Sequence, residues 1–93
     1  MRLRDDPLAE LKGVADEHGR FDALRFTCPL DGCLILVRFT RDRPFFKLDE
    51  DTGVWHADGE FPDTFTLTPS VDVKQFKGGP SHWHGHVTNG VAA

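Results

Sequence analysis

The chain has 93 residues, 39% of them hydrophobic and 28% charged, with a formal net charge of −4. That length fits one domain with a thin core, the composition excludes general disorder, and the acidic balance speaks against a surface that attracts nucleic acid as a whole. No apolar stretch nears the roughly 18 residues that span a bilayer, and the N-terminus is charged where a secretory signal would be apolar. These features point to a cytoplasmic protein, where two cysteines serve as ligands or free thiols sooner than as a disulfide.

Residues 1–5 are polar and read as frayed. Asp6-Pro7 supplies a helix start, Leu8, Leu11, Val14 and Ala15 recur at helical spacing, and His18-Gly19 supplies a stop, so a helix is predicted over about 7–18. Gly13 weakens it by about 1 kcal/mol relative to alanine.

From Gly19 the pattern turns to β. Phe21 to Thr27 is a strand leading into the run Cys28-Pro29-Leu30-Asp31-Gly32-Cys33, and Leu34 to Thr40 is the strongest strand of the chain. Phe45 to Leu48, Val54 to His56, Thr64 to Thr68 and Val71 to Val73 follow as short strands, separated by the acidic turn Asp49-Glu50-Asp51-Thr52-Gly53, by Asp58-Gly59 and by Pro69-Ser70. Lys77-Gly78-Gly79-Pro80 reads as a flexible turn before a last strand that ends at Asn89-Gly90. The expected fold is α+β or mostly β: one domain over 1–93, with the N-terminal helix followed by a small antiparallel sheet over about 20–91 that carries a cysteine knuckle. Trp83, Trp55, Leu34, Leu36, Phe65 and Leu67 are the expected core.

The chemistry concentrates in two places. Ser81-His82-Trp83-His84-Gly85-His86 sets three imidazoles at alternate positions, and on a strand these project from one face, opposite Trp83 and Val87. Cys28 and Cys33 bracket a turn that suits a knuckle. Zinc favours thiolate and imidazole in a tetrahedral shell, so Cys28 and Cys33 with one or two of His82, His84 and His86 form a candidate structural site. Alternatively, the thiols are reduced packing residues and the histidines a polar edge. His18 and His56 read as surface residues.

Thr27-Cys28-Pro29, the pair Trp55 and Gly59, Thr66-Leu67-Thr68-Pro69-Ser70-Val71, and Trp83-His84-Gly85 followed by Thr88-Asn89-Gly90-Val91 occur in an order and spacing that resemble an uncharacterised family of small phage and prophage proteins, domain of unknown function 6527. The resemblance covers roughly Phe26 to Val91. It implies a zinc site built from a Cys-Pro-x-Cys-like knuckle and a later Cys-x-x-His element, which maps onto Cys28, Cys33 and His84. This chain departs from the pattern in a knuckle longer by two and in Ser81 at the place of the later cysteine. Either His82 or His86 then completes the shell, or packing keeps the shape without metal.

Three functions compete. The first is a non-enzymatic, zinc-supported module that binds another macromolecule. The acidic balance favours a protein partner over nucleic acid, and a phage inhibitor of a host defence complex is one form. The second is a metal-dependent hydrolase or nuclease with Glu60 or an aspartate as base, disfavoured because no His-Glu-x-x-His element or carboxylate adjoins the histidine strand. The third is nucleic-acid binding by a zinc-ribbon-like module through Arg38, Arg41 and Arg43 beside Phe45 and Phe46.

Overall fold

A computed structural model describes residues 1–74 and 81–93, so the turn expected at Lys77-Gly78-Gly79-Pro80 lies outside the described residues. The chain is nearly all β, with strands β1 (Glu10–Asp16), β2 (Gly19–Thr27), β3 (Leu34–Thr40), β4 (Phe46–Lys47), β5 (Gly53–Asp58), β6 (Thr66–Lys74), β7 (Ser81–Thr88) and β8 (Val91–Ala92). They form one curled, half-barrel sheet in the order β1-β2-β3-β5-β6-β7-β8, with β4 paired to β5. Pairing is antiparallel except between β3 and β5, which run parallel and meet only at Phe39 with Trp55 and Thr40 with His56.

The helix expected over 7–18 does not form, and the α+β expectation falls with it. Glu10 to Asp16 instead pairs residue for residue with Arg25 to Gly19. The β-branched Val14 suits a strand better than a helix interior, Gly13 weakens a helix there, and the pairing with β2 supplies hydrogen bonds that a short isolated helix lacks. The supposed helix stop is a hairpin turn, in which Asp16 Oδ1 accepts the His18 N–H at 2.9 Å and Gly19 takes φ +113°.

The only helical turn among the described residues is a 3₁₀ turn at Leu3–Asp5. The segment around it straps the far edge of the sheet to its start. Met1 and Leu3 hydrogen-bond Ala92 and Gly90, Leu3 is buried in the core, and Asp6 reaches the end of β2. The buried carboxylate of Asp6 accepts the Thr27 N–H at 2.7 Å, the Thr27 hydroxyl at 2.9 Å and the Leu8 N–H at 3.0 Å. Burial pushes its pKa up, but the bonds from Thr27 and Leu8 outweigh this and hold it below the ordinary carboxylate value.

The core lies on the concave face. Leu24, Phe26, Ile35, Val37, Phe39, Phe65, Leu67, Val71, Trp83 and Val87 are buried, with Phe26 edge-on to Trp83 at 5.6 Å and Phe39 edge-on to Phe65 at 5.1 Å. Leu34 and Leu36 stand on the opposite face, 54% and 44% exposed, and do not join this core as expected; Trp55 is half-buried at its margin. Leu34 to Val37 is apolar at every position, so alternation alone cannot choose a face, whereas pairing of Ile35 with Phe26 and Val37 with Leu24 does. Pro69 does not end a strand: β6 runs through it, with a register shift against β7 between Leu67 and Val71. No helix among the described residues is long and apolar enough to cross a membrane.

Candidate metal centre

The loop between β2 and β3 is tied by backbone bonds from Cys28 N–H to the Cys33 carbonyl at 2.6 Å and from Gly32 N–H to the Cys28 carbonyl at 3.0 Å. Gly32 takes φ +80°, a conformation that favours glycine. The Leu30 N–H points at Cys28 Sγ, 3.4 Å away, and the Cys33 N–H donates to Asp31 Oδ1 at 3.0 Å. The turn therefore fixes both the thiol of Cys28, which is buried, and the carboxylate of Asp31, which reaches the surface.

β7 supplies the third group through a fault in its pairing. Val73 faces Trp83, but Lys74 faces Ser81, so His82 is the extra residue of a β-bulge. Gly85 fixes the register beside it, because a Cβ there would come within 2.5 Å of the Trp83 ring and 2.6 Å of the Ala93 carbonyl oxygen. The bulge takes His82 out of line with His84 and His86 and brings it to the knuckle. One donor atom each from Cys28, Asp31 and His82 lies within 4.8 Å of the others.

The electrostatics suit a cation. The Cys33 N–H holds the Asp31 carboxyl below its ordinary pKa, helped by the thiols of Cys28 and Cys33 and by the nearby His82, so it stays ionised. The same carboxylate raises the pKa of the exposed Cys33 thiol through hydrogen bonding and charge. Nε2 of His82 stands 3.1 Å from Asp31 Oδ2, yet the geometry closes no hydrogen bond, and this buried nitrogen has no hydrogen-bond partner among the described residues. A buried imidazole nitrogen that closes no hydrogen bond is costly unless something else satisfies it. A metal ion between sulfur, carboxylate oxygen and imidazole nitrogen would do so. The residues fit such an ion, and sulfur with nitrogen among the donors favours zinc-like metals over calcium or magnesium.

Of the five residues predicted as ligands, the structure brings Cys28 and His82 together. Cys33 sits on the exposed rim of the same loop, its thiol against Asp31. His84 is exposed and hydrogen-bonds Ser70 Oγ at 3.1 Å, and His86 is exposed with its backbone paired to Ala93. Sequence reasoning missed Asp31, which it took for a turn former. The signal was there: Cys28-Pro29-Leu30-Asp31-Gly32 places a carboxylate at the two-residue spacing where a knuckle carries its second thiol.

Other candidates do not assemble. Arg38 pairs with Asp16, Arg41 lies over Phe65 at 5.6 Å and Arg43 over Phe46 at 3.9 Å, so these guanidinium groups are already engaged. His56 bridges the Arg43 carbonyl and Asp58, and His18 pairs with Asp49. Comparison with protein-family models, with curated proteins and with solved structures finds no match to this chain.

Proposed function

We propose that the chain is a small non-enzymatic module whose fold is supported by a zinc ion held by Cys28, Asp31 and His82, and which binds another macromolecule, a protein. The observation that carries the metal is the approach of these three donors within 4.8 Å around a buried imidazole nitrogen that closes no hydrogen bond. An ion here would join the β2–β3 loop to β7, elements far apart in sequence. In so thin a core, the energy of binding an ion that only the folded chain can hold becomes folding energy.

A structural role is favoured over hydrolysis because no second carboxylate joins the ligand group among the described residues. Three protein donors leave one position of a tetrahedral shell, and Cys33 is the nearest further ligand on the same loop. A protein partner is favoured by the net charge of −4 and by the engagement of Arg38, Arg41 and Arg43 within the chain. The likeness to small phage proteins makes a host protein the natural partner. Imitation of nucleic acid by the acidic turn is the weaker form of this idea, since Asp49 pairs with His18 and Asp51 with Lys74.

The test is thermal unfolding with zinc, with a chelator, and with zinc restored. Ligand at a hundred times its dissociation constant stabilises by about 2.7 kcal/mol, which for a chain of this size raises Tm by roughly 10 °C or more. Cys28→Ser should not respond. A wild-type Tm indifferent to zinc and to chelator would overturn the proposal.

A further inference from the structure

β1 is a free edge. All seven of its residues pair with β2, and none pairs on the other side among the described residues. Leu11 shares the core face with Leu24, yet it is 39% exposed because the half-barrel ends there. An open edge with an uncovered apolar side chain is a template for another strand.

The charges on β1 select which strand. If a second copy pairs with β1 antiparallel about a two-fold axis perpendicular to the sheet, residues opposite each other share a face, and the axis passes through one residue. An axis at Glu10 or Lys12 sets like charges on themselves, and one at Gly13 sets Glu10 against Asp16. An axis at Val14 sets Lys12 against Asp16 but leaves Leu11 without an opposing strand residue, because the position across from it falls in the turn at Glu17. An axis at Leu11 alone covers Leu11 with Leu11 and sets each Glu10 against Lys12 of the other copy, twice by symmetry. Lys12 has no ion-pair partner within the chain among the described residues, while Glu10 pairs with Arg25 at 3.0 Å, so the contact would extend an existing pair into an Arg25, Glu10, Lys12 chain.

We infer that the chain self-associates through β1, as an antiparallel two-fold dimer centred on Leu11. Of the registers weighed, this one gives Lys12 a carboxylate and Leu11 a leucine at the same time. The inference does not depend on the metal reading.

Sedimentation equilibrium of the full chain, with matched zinc in every sample, tests it. The wild type should show a monomer–dimer equilibrium, weak because one strand pair makes a small interface. Lys12→Glu and Glu10→Lys should each weaken the dimer about tenfold or more, and the double exchange should restore it to within about threefold. A wild type monomeric up to roughly millimolar concentration would overturn the inference. So would a dimer that tolerates Glu10→Lys, because its contact would lie elsewhere.

Discussion

Removing the Asp6 carboxylate should loosen the strap that holds the N-terminal segment to the end of β2. Asp6 accepts three hydrogen bonds, at 2.7, 2.9 and 3.0 Å, and is almost wholly buried. Hydrogen bonds to a charged group contribute about 1.5–3 kcal/mol each, but these three share one carboxylate, and water can reach the donors once it is gone. Asp6→Ala should therefore cost about 3 kcal/mol, a large part of a small domain's stability, and Asp6→Asn, which keeps one acceptor, about half of that. The pH dependence tests the cause. The folded pKa of Asp6 lies below its unfolded value of 3.8, so its contribution is complete above that value and is lost as pH falls through the folded one. Urea unfolding at fixed zinc should show the full gap between wild type and Asp6→Ala at neutral pH and a gap that shrinks as the pH falls below the ordinary aspartate range. A gap under about 1 kcal/mol, or one unchanged by acid, would refute the reasoning.

Further outcomes follow from packing and pairing. Gly85→Ala should destabilise by about 1–3 kcal/mol by chemical denaturation, since its Cβ would strike the Trp83 ring and the Ala93 carbonyl, and Trp83 fluorescence should shift as the ring is displaced. Val37→Ala should cost about 2 kcal/mol, while Leu36→Lys on the opposite face should stay within about 0.5 kcal/mol; equal effects on Tm would mean the face of β3 is misassigned. His84→Ala and His86→Ala should leave zinc affinity, measured by competition with a chromogenic chelator, close to that of the wild type, because neither side chain reaches the knuckle.

Much of the sheet was legible because its strands carry β-branched and aromatic residues between clear turn signals. Leu34 to Thr40 and the turn at Asn89-Gly90 are examples, with Asn89 and Gly90 both taking positive φ. The N-terminal segment was not, because Leu8, Leu11, Val14 and Ala15 satisfy helical spacing by coincidence, and only the pairing partner in β2 decides for a strand. The face of β3 was illegible for a related reason, a run of four apolar residues with no alternation. At the candidate site, the chemistry was legible in Cys28 and the histidine run, but its geometry was not. A single-residue bulge at His82 undoes the alternation that placed the three histidines together, and nothing local in Ser81-His82-Trp83 announces it. Asp31 was hidden by its second role, since an Asp-Gly pair is also what a tight turn requires.

The most direct test is the zinc content of the untagged protein and of Asp31→Asn, His82→Ala and His84→Ala, measured by elemental analysis after dialysis against metal-free buffer. Asp31 and His84 separate the structural arrangement from the alternating-histidine one. About one zinc per chain is expected in the wild type and in His84→Ala, with loss of the metal in Asp31→Asn and His82→Ala. Zinc retained in Asp31→Asn and lost in His84→Ala, or no zinc in the wild type, would contradict the account.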